Sequence, residues 1–185
     1  MYRILLAIFL ASNKNNNNMQ KFAQCWAREL GCSVKQFLGN GDNGEAFELS
    51  DGSVIKITLD AAEYELCKGL VGCENDNVAD IYQVIEFDEH TMGIWQEKLT
   101  LDPDISHLFE ELEVEAMQQG CEIEAIDNDC LFGEISFGAR DLLDAIVRAI
   151  QEIACYGFDA GDVHFSNMGR KLSGEYALFD QRSRR

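Results

Sequence analysis

A glycine cluster, a lysine inside an apolar run and carboxylates near loop ends are the residues of this sequence whose types and spacing could do chemistry. Gly39, Gly41 and Gly44 fall in Gly39-Asn-Gly-Asp-Asn-Gly44, between two stretches that read as strands. A dinucleotide fingerprint needs a helix after its glycines, so this context predicts a hairpin instead. A hairpin without side chains brings backbone N–H groups close to a ligand, the geometry of a flap over phosphates; a plain flexible turn is the alternative. Lys56 stands in Val54-Ile55-Lys56-Ile57. Buried there, its ammonium needs an anion; strand alternation could equally leave it on the surface. Glu63 is the nearest candidate partner. Its helical neighbours Leu66, Cys67 and Leu70 are apolar, so it heads a buried face. It also follows Asp60 by three residues, which is capping-box spacing, and the two roles compete.

Further along, Gly161-Asp-Val-His-Phe-Ser-Asn167 places Asp162 and Asn167 in one loop with four residues between them. Such a pair can serve as a base and a metal ligand. His164 lies between them and, taken alone, reads as a solvated loop side chain. Asp180 ends the apolar run Ala177-Leu-Phe. A carboxylate at a strand end suits a hard cation, because Mg²⁺ prefers oxygen donors.

The elements that must hold these residues follow from periodicity and punctuation. Residues 1–18 read as an N-terminal segment with an Asn-rich connector. Met19 to Leu30 predicts a helix with Phe22, Cys25, Trp26 and Leu30 on one face and Gly31 closing it. Strands are expected at Val34–Leu38, Ala46–Leu49 and Ser53–Leu59, with Asp51-Gly52 as a hairpin turn. A helix from Asp60 to about Val71 follows, then strands Val78–Phe87 and Met92–Leu99 around the turn Asp88-Glu89-His90. The first half is thus five strands with a helix inserted after the third. In the second half, Asp102–Gly120 contains a Glu-rich helical stretch and Asp141–Tyr156 is a strongly amphipathic helix ended by Gly157. A short strand is expected at Tyr176–Phe179.

Composition narrows the classes. The chain has 185 residues, 46% hydrophobic, and a net charge of −18. That length suits one domain or two small lobes sharing a cleft. The charge argues against nucleic acid and membrane surfaces as partners. Seven cysteines, an odd number with no Cys-x-x-Cys, exclude a complete disulfide framework and any zinc ribbon, and point to buried thiols in a reducing, cytoplasmic setting. Ile4–Ala11 is too short to span a bilayer, and a packed or exposed element is favoured over a signal segment.

Taken in order, the polar set resembles the protein-kinase-like superfamily: Gly-rich loop, strand lysine, helix glutamate, Asp-x-x-x-x-Asn loop and metal-binding aspartate. The resemblance runs from about Val34 to Asp180. Gly161, Asp162, His164 and Asn167 are similar to the loop of the aminoglycoside and choline phosphotransferases, with Ala160 where that pattern begins with His. Asp180 is followed by Gln181-Arg182 instead of Phe-Gly. The resemblance implies an α+β bilobal fold. Residues 19–98 would form a five-stranded antiparallel N-lobe with one helix, and 99–185 a reduced, mainly helical C-lobe. It implies ATP and Mg²⁺ as cofactors, with the nucleotide bound by Gly39, Gly41, Gly44, Lys56 and Glu63. The connector Gln96, Glu97 and Leu99 would hold the adenine. Asp162 and His164 would be catalytic, and Asn167 and Asp180 would be metal ligands. Phosphoryl transfer to a hydroxyl acceptor is the implied activity. The alternative is a non-catalytic kinase-like module that binds nucleotide, or nothing, and contacts a partner through its acidic surface, where a protein partner or a homodimer could complete the small C-lobe.

Overall fold

A computed structural model describes residues 18–127, 131, 135–158, 160–161, 163, 165–179 and 182–183. The chain divides into two units. The described residues of the first fall within Met1–Glu74 and Asp80–Lys98, those of the second within Asn75–Ala79 and Leu99–Arg185.

The first unit is a five-stranded antiparallel sheet with two helices. Its strands are β1 (Val34–Asn40), β2 (Gly44–Leu49), β3 (Val54–Thr58), β4 (Ile81–Glu86) and β5 (Met92–Gln96), in the order β1-β2-β3-β5-β4. Helix α1 (Asn18–Glu29) lays Phe22, Ala23, Trp26 and Ala27 on one sheet face against Phe47, Leu49, Ile55 and Ile57. Each large side chain buried in this core contributes roughly 1.5–3 kcal/mol. Gly31, at φ +76°, ends α1 in the left-handed conformation that glycine adopts without strain. Gly93 makes room for the Trp26 ring, which a Cβ would approach to 2.5 Å.

Strands β1 and β2 extend further into the glycine cluster than expected, leaving residues 41–43 as the turn. Helix α2 (Ala61–Leu70) follows β3, and Asp60 caps it by accepting from the backbone N–H groups of Ala62 and Glu63. The strand expected from Val78 begins only at Ile81. Val78 and Ala79 belong instead to the second unit, where the Ala79 amide donates to Leu178 O at 2.9 Å and the Leu178 amide to Asn77 O at 3.0 Å.

The second unit contains α3 (Ile105–Gln119), a 3-10 turn (Ile123–Ala125), α4 (Phe137–Cys155), a second 3-10 turn (Phe165–Asn167), and four short strands. These are β6 (Ala160–Gly161), β7 (Met168–Arg170), β8 (Tyr176–Leu178) and β9 (Arg182–Ser183). β6 pairs with β9, and β7 with β8. α4 starts earlier than its sequence pattern suggests because the Ser136 hydroxyl caps it by accepting from the Ala139 amide. Its buried stripe includes Ala139, Ala145 and Ala149, while Val147 and Ile150 are only half-buried and Ala154 is exposed. α4 packs against both α3 and β8.

The six described cysteines are free thiols. Only Cys67 among them is buried, so the expectation of mostly buried thiols does not hold: the others stand at element ends or half-covered faces. No helix among the described residues is long and apolar enough to cross a membrane. Residues 4–11 lie outside the described residues.

Candidate functional site

Lys56 sits in the middle of β3, opposite Ala46 on β2 and Ile94 on β5. Its neighbours Ile55 and Ile57 point into the α1 core. Strand alternation therefore sends Lys56 to the other face, where α2 lies. There its Nζ donates to Glu63 Oε1 at 2.5 Å. The two side chains are 14% and 4% exposed, so the buried alternative is the one realised.

Glu63 resolves its two competing roles in favour of the ion pair. Its Oε2 accepts from the Thr58 hydroxyl at 2.8 Å. The Asp60 amide, which a full capping box would give to Glu63, donates to Thr58 Oγ1 at 3.1 Å. Only the Asp60 half of the box forms. Leu66, Cys67 and Leu70 are buried below Glu63. Thr58 escaped the sequence reading. Its signal was a hydroxyl two residues after the strand lysine and two before the cap.

The glycines do different work. Gly44 is buried against β3, where a Cβ would lie 2.5 Å from Ile57 O. It is glycine because two backbones approach there. Gly41 donates its amide to Gly44 O at 2.9 Å, closing the turn. Gly39 pairs with Ala46 next to a register shift and has open space where its Cβ would be.

A second buried carboxylate shares the Lys56 face. Glu48 is 3% exposed and stands opposite Val54, two ladder rows from Lys56. It accepts from Lys35 at 2.6 Å, Lys98 at 2.6 Å and Gln36 at 3.1 Å. The bonds from Lys35 and Lys98 hold its carboxyl below the usual carboxylate range. A charge inside Phe47-Glu-Leu49 is the same signal that exposed Lys56, and it was missed. Gln96, 4% exposed, ends β5 opposite Val54 and Ile81. The Glu97 amide donates to Asp80 O at 2.8 Å. Leu99 packs with Ala79 and Ala177 in the second unit.

In the second unit, Asn167 is 6% exposed and immediately precedes β7. Its carbonyl accepts from the Phe179 amide at 2.9 Å, continuing the Met168–Leu178 register. The hairpin thus sets Asn167 beside the residue that precedes Asp180. The Phe165 ring meets Phe109 of α3 edge-on at 6.5 Å, which anchors the turn carrying Asn167. Asp162, His164 and Asp180 lie outside the described residues.

Asp102 was also missed. It binds Arg170 and Tyr176, the pair of this hairpin next to its turn.

The chemistry available is that of a positioned ammonium, the donor type that neutralises phosphate oxygens. The Asn167 amide oxygen and the Asp180 carboxylate are hard donors of the kind Mg²⁺ takes, with waters and phosphates completing its shell. No group of three His, Cys, Asp or Glu among the described residues could hold a metal by itself. The chain matches no protein-family model and no curated protein.

Proposed function

We propose that this chain is a minimal kinase-like phosphotransferase that takes ATP with Mg²⁺ and transfers the γ-phosphoryl group to a hydroxyl acceptor. The observation that carries the reading is the buried Lys56–Glu63 pair, formed between the third strand of a β1-β2-β3-β5-β4 sheet and the helix that follows it. Support for the fold comes from the same strand order and from the placement of α2 between β3 and β4. Lys56 would bind phosphate oxygens and Glu63 would fix its ammonium. Asn167 and Asp180 would hold Mg²⁺, which offsets phosphate charge when bound.

Asp162 would accept the proton of the acceptor hydroxyl. The acceptor oxygen then bonds to the γ-phosphorus as the bond to the β–γ bridging oxygen breaks, and ADP departs. His164 would donate to the transferring group. Rate enhancement on this reading comes from positioning and charge stabilisation. Calorimetric titration of ATP with and without Mg²⁺ tests it. Metal-dependent binding to the wild type that is lost in Asp180→Ala is expected. A folded wild type that binds no ATP overturns the reading.

A non-catalytic, partner-binding module is the second reading. Its support is the outer face of α3, where Val114 and Met117 are 56% and 82% exposed beside Glu110 and Glu113. A pull-down that recovers no salt-sensitive partner counts against it.

A further inference from the structure

The β7–β8 hairpin is only three residues on each side, yet it is fastened along both edges. On the β7 edge, Arg170 exchanges both backbone bonds with Thr100 at 2.8 Å. Gly169 lies so close to this edge that a Cβ would meet Leu99 Cβ at 2.8 Å and Thr100 O at 2.9 Å. On the β8 edge, Leu178 pairs with Val78 in parallel, and the Asn77 side-chain amide donates to Tyr176 O at 2.8 Å.

One carboxylate oxygen joins the two strands through their side chains. Asp102 Oδ2 accepts from Arg170 Nε on β7 at 2.8 Å and from the Tyr176 hydroxyl on β8 at 2.7 Å. The Arg170 guanidinium lies 3.8 Å over the Tyr176 ring, and its Nη1 donates to Gly174 O in the turn at 2.7 Å. Burial pushes the Asp102 carboxyl up, but the Asp104 amide, Arg170 and the Tyr176 hydroxyl outweigh it and hold the group below the usual range. Asp102 is therefore anionic at neutral pH, and its bonds are charge-assisted. Arg170 is the last residue of β7, and Asn167 directly precedes that strand. The Asp102 clasp adds side-chain bonds at the turn end of β7 to the backbone bonds along its edges.

We infer that Asp102 is a positioning residue for Asn167, acting through Arg170 and Tyr176 on the β7–β8 hairpin. The inference rests on the reading of Asn167 as a ligand of Mg²⁺ bound with ATP. Partners bonded directly to a metal ligand change metal affinity by about 10- to 100-fold when removed, and Asp102, which acts on Asn167 through the strand, is expected at the low end of that range.

The test measures ATP affinity by calorimetry across a Mg²⁺ series, and exchange of the Phe179 amide by NMR. The proteins are the wild type, Asp102→Asn and Tyr176→Phe. Asp102→Asn is expected to raise the Mg²⁺ concentration at half-effect by about tenfold and leave metal-free ATP affinity within about twofold. Phe179 exchange is expected to speed up in the same variant, because that amide is bonded to Asn167. Tyr176→Phe keeps the ring under Arg170 and should shift the Mg²⁺ requirement the same way by a smaller factor.

If Asp102→Asn does not fold, Tyr176→Phe decides. An unchanged Mg²⁺ requirement in the folded variants overturns the positioning role and leaves the nucleotide reading standing. An equal loss of metal-free and metal-dependent affinity also overturns it, because a merely structural role would do that. A wild type that binds ATP with no metal dependence at all removes the premise and the inference with it.

Discussion

The first unit holds its Lys56–Glu63 ion pair between long elements, and the second holds Asn167 on short ones. Lys56 is central in a strand paired on both sides, and Glu63 rides on a ten-residue helix. Asn167 stands at the foot of a three-residue strand whose geometry is tied by Asp102, Arg170 and Tyr176. Extended ladders position side chains through repeated backbone bonds, each reinforcing the next. Short ladders need side-chain clasps, which act through a few charge-assisted bonds. If this contrast governs the two units, the first should tolerate change except at the ion pair itself, and the second should be sensitive at Asp102, Arg170 and Tyr176.

The largest effect that tests this contrast is expected from Glu63→Ala. It leaves the Lys56 ammonium without its carboxylate in a nearly closed setting and should cost about 3 kcal/mol in urea unfolding. A loss well under 1 kcal/mol would mean that the sheet does not depend on the pair. Next comes Gly44→Ala, expected to cost about 2 kcal/mol, because β2 must move off the Ile57 carbonyl. A neutral result would show that the β2–β3 ladder is less rigid than the comparison requires.

Capping gives a smaller, paired test. Asp60 makes two bonds to the start of α2, whereas Asp104 makes no side-chain cap bond to α3. Asp60→Ala should cost about 1 kcal/mol and Asp104→Ala less than about 0.5, read as thermal unfolding of each variant.

The smallest effect lies on α4. Burial and then Asp76 push the Glu152 carboxyl above its ordinary range, against the pull of the Asp76 amide, Lys171 and the Asn77 amide. Its Oε2 is buried and without a hydrogen-bond partner. A carboxyl raised in the folded state contributes stability that is full below the unfolded pKa and is lost as pH rises through the folded value. At pH 7 the ionised form is therefore the less stable one. Glu152→Gln should raise Tm at pH 7 by no more than about 2 °C, solvent screening keeping the effect small. The gain should vanish toward pH 4. A variant that is less stable at pH 7 would refute this sign.

Much of the first unit was legible before the structure. Val54-Ile-Lys-Ile57 states both a strand and its anomaly, and an anomaly of that kind predicts a partner. Asp60 states where α2 begins, and Leu66, Cys67 and Leu70 state which of its faces is buried. The second unit was less legible because its strands are two or three residues long, too short for alternation to register. Val78 and Ala79 read as part of β4, since apolar residues in a row carry no mark of which sheet will take them. Asp102 was overlooked for a related reason. Its partners Arg170 and Tyr176 lie 68 and 74 residues away in sequence.

By itself the sequence determined the α+β composition, the helix after the third strand, the cap at Asp60 and the residues able to do chemistry, because these depend on local propensity and on spacing within one element. The tertiary structure alone decided that Glu63 serves Lys56 and Thr58 in preference to its own helix cap, that Gly44 is required by backbone approach, and that one oxygen of Asp102 ties β7 to β8. Each of those outcomes depends on which groups the fold brings within hydrogen-bond distance, and distance in space is not written in spacing along the chain.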